Sequence, residues 1–194
     1  MLENQPRQFK RNRSRDILHY INLKSASSNH DDEIGNLLVR SFMDTYQEKL
    51  PHLHTTQERI DELREVNKRR RDGEVFILEL GYRIIGTAAI IRPNTVENQS
   101  WTPHSANLRC LAIDPDFHGL GFSEILIDRS FKIAQGWLSH SICLHVQEGA
   151  EGVSRLYTAK GYLRDPIGDM TCHGCQVNGY WLPIQNALNQ LDTQ

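Results

Sequence analysis

The segment Leu111–Leu126, LAIDPDFHGLGFSEIL, restricts the fold more than any other part of the chain. A β-rich run from Ala106 to Ile113 stops at Asp114-Pro115, glycines follow at 119 and 121, and an apolar pattern of helical period begins at Phe122. A strand must therefore hand over to a helix through a turn of bare backbone. The first turn of a helix leaves roughly four amide N–H groups without intrahelical partners; with the helix dipole they attract a phosphate or pyrophosphate, and glycines let it approach. A dinucleotide-binding loop wants a third glycine where Glu124 stands, and a P-loop wants Gly-Lys-Ser/Thr, which is absent. Two readings remain: an anion cradle in a mixed sheet, or an ordinary loop-to-helix turn.

The rest of the chain supplies the layers around this unit. Asp16–Leu23 reads as a first strand, and Ile34, Leu37, Leu38 and Phe42 recur at helical spacing. A second helix is expected from Thr55, with Glu58 three residues on as in a capping box, an apolar stripe of Ile60, Leu63 and Val66, and a basic end at residues 68–71 that offsets the dipole. Residues 74–93 form a hairpin about Gly81-Tyr82, residues 94–105 a polar connection, and residues 106–113 the fourth strand. A mostly buried helix runs from Gly121 to about Leu138. After it come a fifth strand over 141–146, a short helix over 150–160 with Gly161 as its C-cap, and two closing strands, 162–165 and 176–182, around a Gly- and Cys-containing loop.

With 194 residues, 39% of them hydrophobic, one domain over 15–194 is expected, preceded by a flexible basic tail over 1–14. A net charge of −2 gives no global field for nucleic acid or an anionic membrane, and neither is an expected partner. No apolar stretch has the length of a spanning helix, the N-terminus is polar, and four cysteines are too few for a disulfide scaffold. A cytoplasmic protein with reduced thiols is expected. Cys172-x-x-Cys175 around His173 has a zinc-like spacing, but a structural zinc wants four ligands and no second pair adjoins it, so no metal is expected. His52 and His54 read as surface or pocket-lining residues, Cys110 and Cys143 as small hydrophobes. The absence of a Gly-x-Ser-x-Gly elbow argues against a hydrolase.

CLAIDPDFHGLGFSEIL resembles the coenzyme A motif of the GCN5-related N-acetyltransferases, the GNAT family, usually Gln/Arg-x-x-Gly-x-Gly/Ala. His118 falls at the Gln/Arg position, Gly121 at the central glycine and Ser123 at the last small residue. The resemblance extends over about residues 16–183, because the order of elements is the family's and Leu144, Val146, Leu156, Tyr157, Gly161 and Tyr162 match its later segment; Ala150 replaces the usual Asn. It implies an α/β domain whose mixed, mostly antiparallel sheet has about seven strands and is flanked by helices. It also implies acetyl-CoA, or another acyl-CoA, as co-substrate. Its pyrophosphate would be held by His118, Gly119, Leu120, Gly121, Phe122 and Ser123, and its thioester would be polarised by the backbone of Leu111, Ala112 and Ile113.

In the family a neutral amine attacks the thioester and a thiolate leaves. A tyrosine, of reference pKa about 10, is protonated at neutral pH and can give the thiolate a proton; Tyr157 matches the family's tyrosine. His145 stands where some members place a glutamate base. The resemblance implies as acceptor a primary amine of a small molecule or a protein, in a pocket built by residues 43–60, 94–105 and 166–176, with Trp101 and His104 as lining candidates. A homodimer is compatible with this reading. The alternatives are a non-catalytic acyl-CoA sensor or partner module, and a zinc-binding interaction domain built on the CxxC loop.

Overall fold

The computed structural model describes residues 18–49 and 55–184; the tail expected over 1–14 and His52 and His54 lie outside the described residues. Eight strands form one sheet in the order β1-β2-β3-β4-β5-β8-β6, with β7 attached to β8. They are β1 (Ile21–Ser25), β2 (Gly73–Leu80), β3 (Arg83–Ile91), β4 (Ser105–Ile113), β5 (Ser141–Gln147), β6 (Leu163–Arg164), β7 (Met170–Cys172) and β8 (Cys175–Pro183). The helices are α1 (Asp31–Lys49), α2 (Gln57–Arg64), α3 (Val66–Asp72), α4 (Phe122–Gly136) and α5 (Glu151–Ala159). Every strand pair is antiparallel except β4 with β5.

Alternation along β2 explains the layering. Val75 and Ile77 pack with Ile34, Leu37 and Leu38 of α1, Leu63 of α2 and Val66 of α3. Phe76 and Leu78 point the other way, onto Leu126, Ile133 and Ala134 of α4 and Tyr157 of α5. Both faces are covered, so β2 and β3 read as nearly continuous apolar runs rather than alternating ones.

Five features differ from the sequence reading, each for a local reason. The first strand starts at Ile21, because β2 turns at Gly81 and offers no partner beyond Leu80, which pairs with Ile21. The second helix is capped by Thr56, whose hydroxyl accepts the Arg59 amide, not by Thr55. It also breaks at Glu65, where the buried Arg69 guanidinium donates to the carbonyls of Glu62 and Leu63 at 2.7 and 2.5 Å. The basic run therefore does more than face the dipole: Arg69 closes the end of α2, and Arg70 pairs with Asp31. Helix α4 stops at Gly136 because Leu138, in the left-handed region at φ 56°, terminates it in a Schellman arrangement, Ser139 donating to Ala134 and Leu138 to Gln135. Leu138 is exposed, not part of the buried face. Finally, the loop around Cys172 is itself a hairpin, which raises the strand count to eight.

Candidate active site

The parallel strands β4 and β5 share only the pairs Ser105↔Ser141, Ala106↔Ile142 and Asn107↔Cys143. Beyond Asn107 they part. Asn107 is fully buried at the apex, its amide nitrogen donating to the Cys143 carbonyl at 3.0 Å and its amide oxygen accepting the Gln99 amide at 3.2 Å. Just past the apex, β4 bulges: Thr87 pairs with Ala112 but Ala89 with Arg109, so β4 spends one more residue than β3, and Cys110 takes φ 51°. The split opens a cleft of about 300 Å³, lined on one side by Leu108 and residues 110–113 and on the other by His145, Val146 and Gln147. Strand edges without a strand partner leave backbone donors and acceptors for an extended ligand.

At the wide end of the split β4 hands over to the glycine turn. Buried Asp114 holds the handover: its carboxylate takes Arg40 and, at 2.6 Å, Arg83, and its other oxygen accepts the Asp116 amide at 3.1 Å. Gly119 and Gly121 both have positive φ, 76° and 83°, and Gly121 is the N-cap of α4. A side chain at 121 would meet nothing within 4 Å, so the glycine answers to conformation rather than space. Of the residues read as the anion cradle, His118 and Ser123 line the cleft, while the Phe122 ring is buried in the core and offers only its amide. Leu120 packs against the same core. The His118 ring turns back on β4, its Nε2 bonding the Ile113 carbonyl at 2.8 Å, which Ser41 Oγ also bonds at 3.1 Å.

Tyr157 lines the cleft from α5, its ring set edge-on to Tyr162 with centroids 5.3 Å apart, and burial pushes its phenol well above the ordinary value. It therefore stays protonated. His145 enters from β5; its Nε2 bonds the Gly168 carbonyl at 2.9 Å, so the proton sits there and Nδ1 keeps its lone pair. Burial, assisted by Arg109, lowers its pKa against the opposing effect of that carbonyl, which keeps the ring neutral.

A match to the model of the acetyltransferase (GNAT) family covers residues 32–162. The chain belongs to the GNAT family. No curated protein matches it in sequence. Among solved structures, a GNAT-family acetyltransferase from Staphylococcus aureus Mu50 superposes with a TM-score of 0.66 at 14% identity, covering 85% of this chain and 99% of that one. The spermidine N-acetyltransferase of Vibrio cholerae, in complex with CoA and spermine, superposes at 0.58 with 20% identity over 85% and 96%. The ribosomal-protein-S18-alanine N-acetyltransferase of Escherichia coli does so at 0.62 with 15% identity over 86% and 96%. At these identities the likeness is one of fold.

In this GNAT domain the far end of the cleft differs from the sequence reading. Trp101 does not line it. Its indole donates to Asp165 at 2.7 Å, covers Gly168, where a Cβ would come within 2.4 Å of the ring, and backs His145 at 5.2 Å. His104 lies elsewhere, ring to ring with His140. The wall is instead built around Glu62, which pairs with Arg59, with Arg109 at 2.6 Å and with His173 at 3.1 Å. Burial raises the Glu62 pKa, yet the two guanidiniums outweigh it and hold the carboxylate ionised. Arg109, Glu62 and His173 come from β4, α2 and the β7–β8 turn, so no sequence spacing announces them. Asn107 and Cys110 were equally silent, a polar residue and a small one inside an apolar strand. Among the described residues, no group of three or more His, Cys, Asp or Glu side chains could hold a metal ion.

Proposed function

We propose that this GNAT domain is an N-acyltransferase that moves an acetyl or other acyl group from coenzyme A to a primary amine. One observation carries the reading: a bulged, unpartnered edge of β4 runs from the split at Asn107 to the double-glycine entry of α4. That path offers an apolar groove and strand-edge polar groups for an extended arm, then helix-terminal amides for its phosphates. The residues fit the ligand. Leu111, Ala112 and Ile113 would flank the thioester, and the backbone of residues 119–123 would hold the pyrophosphate, with Ser123 leaving room.

When bound, acyl-CoA supplies a thioester carbonyl for the amine to attack and a sulfur that leaves as thiolate. The Nδ1 lone pair of His145 takes a proton from the amine, directly or through water. The Tyr157 hydroxyl gives its proton to the departing sulfur. A backbone amide of residues 111–113, held by the β4 bulge, stabilises charge on the carbonyl oxygen by about 3 kcal/mol where it is preorganised. The acceptor enters between α1, α2 and the β7–β8 hairpin. Among the described residues no helix is long and apolar enough to cross a membrane.

The test is release of free CoA thiol from acetyl-CoA, and from longer acyl-CoAs, across a panel of amines including polyamines, amino acids and peptides with a free N-terminus. The reading predicts amine-dependent thiol release with at least one class. Coenzyme binding with no release for any amine would favour the sensor instead.

A further inference from the structure

Cys172 and Cys175 face one another as the last pair of the β7–β8 hairpin, across a turn of His173 and Gly174 whose φ angles are 49° and 76°. Two central residues of positive φ make the tight primed turn whose twist matches the flanking strands, so the register of the pair is fixed. Directly opposed residues on antiparallel strands have Cα atoms about 4.5–5.5 Å apart and side chains on one face; a disulfide spans about 4.4–6.8 Å. The register sets the two Cα atoms within the span a disulfide bridges, and rotation of the side chains with a small closure of the strand ends brings the sulfurs together. Both are free, half-buried and part of the cleft wall at its acceptor end. Gly174 at the tip has open space around it, so solvent reaches the turn.

The other chemistry open to two such cysteines is metal binding. A closed tetrahedral site wants further ligands, and among the described residues no group of three or more His, Cys, Asp or Glu side chains is gathered. His173 is already committed to Glu62. The chemistry left to the pair is with each other.

We propose that Cys172 and Cys175 are a redox-modification site that closes reversibly to a disulfide when a small disulfide such as oxidised glutathione is the oxidant. The thiolate of one cysteine attacks a glutathione sulfur, expelling one glutathione thiolate. The thiolate of the second attacks the mixed disulfide and expels the other. The chain loses two protons and two electrons; the oxidant gains the electrons as two thiolates. Burial and the Glu62 carboxylate push the Cys172 thiol up, which slows the exchange at neutral pH and preserves the reduced form in ordinary reducing conditions. Closure pins the strand ends on either side of His173, and so the side chain that pairs with Glu62 and lines the cleft. This consequence rests on the function proposed above; the disulfide itself does not.

The reduced full chain is equilibrated in glutathione buffers of rising oxidised fraction, blocked with an alkylating reagent and peptide-mapped by mass spectrometry. The peptide holding residues 172–175 should appear unalkylated and lighter by two hydrogen atoms, and revert with dithiothreitol, while Cys110 and Cys143 stay unlinked. Full alkylation of both cysteines, arrest at a glutathione adduct, or pairing of either with Cys110 would overturn the proposal. Cys172→Ser should abolish the linked peptide while Cys110→Ser leaves it unchanged. After glutathione is removed, amine-dependent thiol release by the oxidised chain should fall several-fold while CoA binding stays the same. If the reduced chain releases no thiol, the function reading fails and the peptide map still decides the disulfide.

Discussion

Tyr157 and His145 reach the cleft from a helix and a strand, and burial fixes the protonation state of each. The phenol is held protonated and the imidazole neutral. Removing one hydroxyl from a packed ring leaves its contact with Tyr162 intact, so Tyr157→Phe should lower turnover by about 10²-fold with coenzyme affinity unchanged. Steady-state rates and a calorimetric titration on the same sample check both halves. In the proposed role of base, His145 has to be neutral. Its folded pKa is lowered, so activity should be complete at neutral pH and be lost as pH falls through a value below the ordinary 6.5, not above it. His145→Gln should remove that acid limb from the profile of kcat/KM. The same lowering means the unfolded chain binds more protons in that window, so stability also declines as pH drops below about 6.5.

At the scale of elements, irregularities rather than regular strands and helices shape the site. The β4 bulge at Cys110, the Asn107 apex and the left-handed glycines each interrupt a regular element where the cleft needs backbone groups turned outward. Asn107→Leu removes the buried side-chain bonds to the Cys143 carbonyl and from the Gln99 amide and should cost about 1–3 kcal/mol in urea unfolding, with weaker CoA binding as the apex loosens. Gly121→Val should impair coenzyme binding more than Gly121→Asn, because at φ 83° the obstacle is backbone strain, which asparagine tolerates, and not lack of room. Direct binding titrations of the two variants check this order. Regular periodicity made most of this legible: the hairpin about Gly81, the α4 stripe and the strand-to-glycine-to-helix handover can all be read from the sequence. What escaped depends on tertiary partners. Arg69 looks like one more cation in a basic run until its burial beneath the end of α2 is seen, and Trp101 looks like a pocket wall until Gly168 is found beneath it.

At the scale of the molecule, a sheet covered on both faces is opened at the one parallel junction among the described residues, and the candidate site lies in that opening. One side of the cleft leads to the glycine turn, the other to the Glu62 cluster and the β7–β8 hairpin, so coenzyme and acceptor would meet at the split from opposite ends. The proposed acceptor wall draws on α1, α2 and that hairpin, elements far apart in the chain, whereas the strand-to-glycine handover is one contiguous segment that can be read from the sequence. Isothermal calorimetry of the purified chain with CoA and acetyl-CoA tests the account most directly. It predicts saturable association of one coenzyme per chain, weakened by Asn107→Leu; no heat of binding at millimolar coenzyme would contradict it.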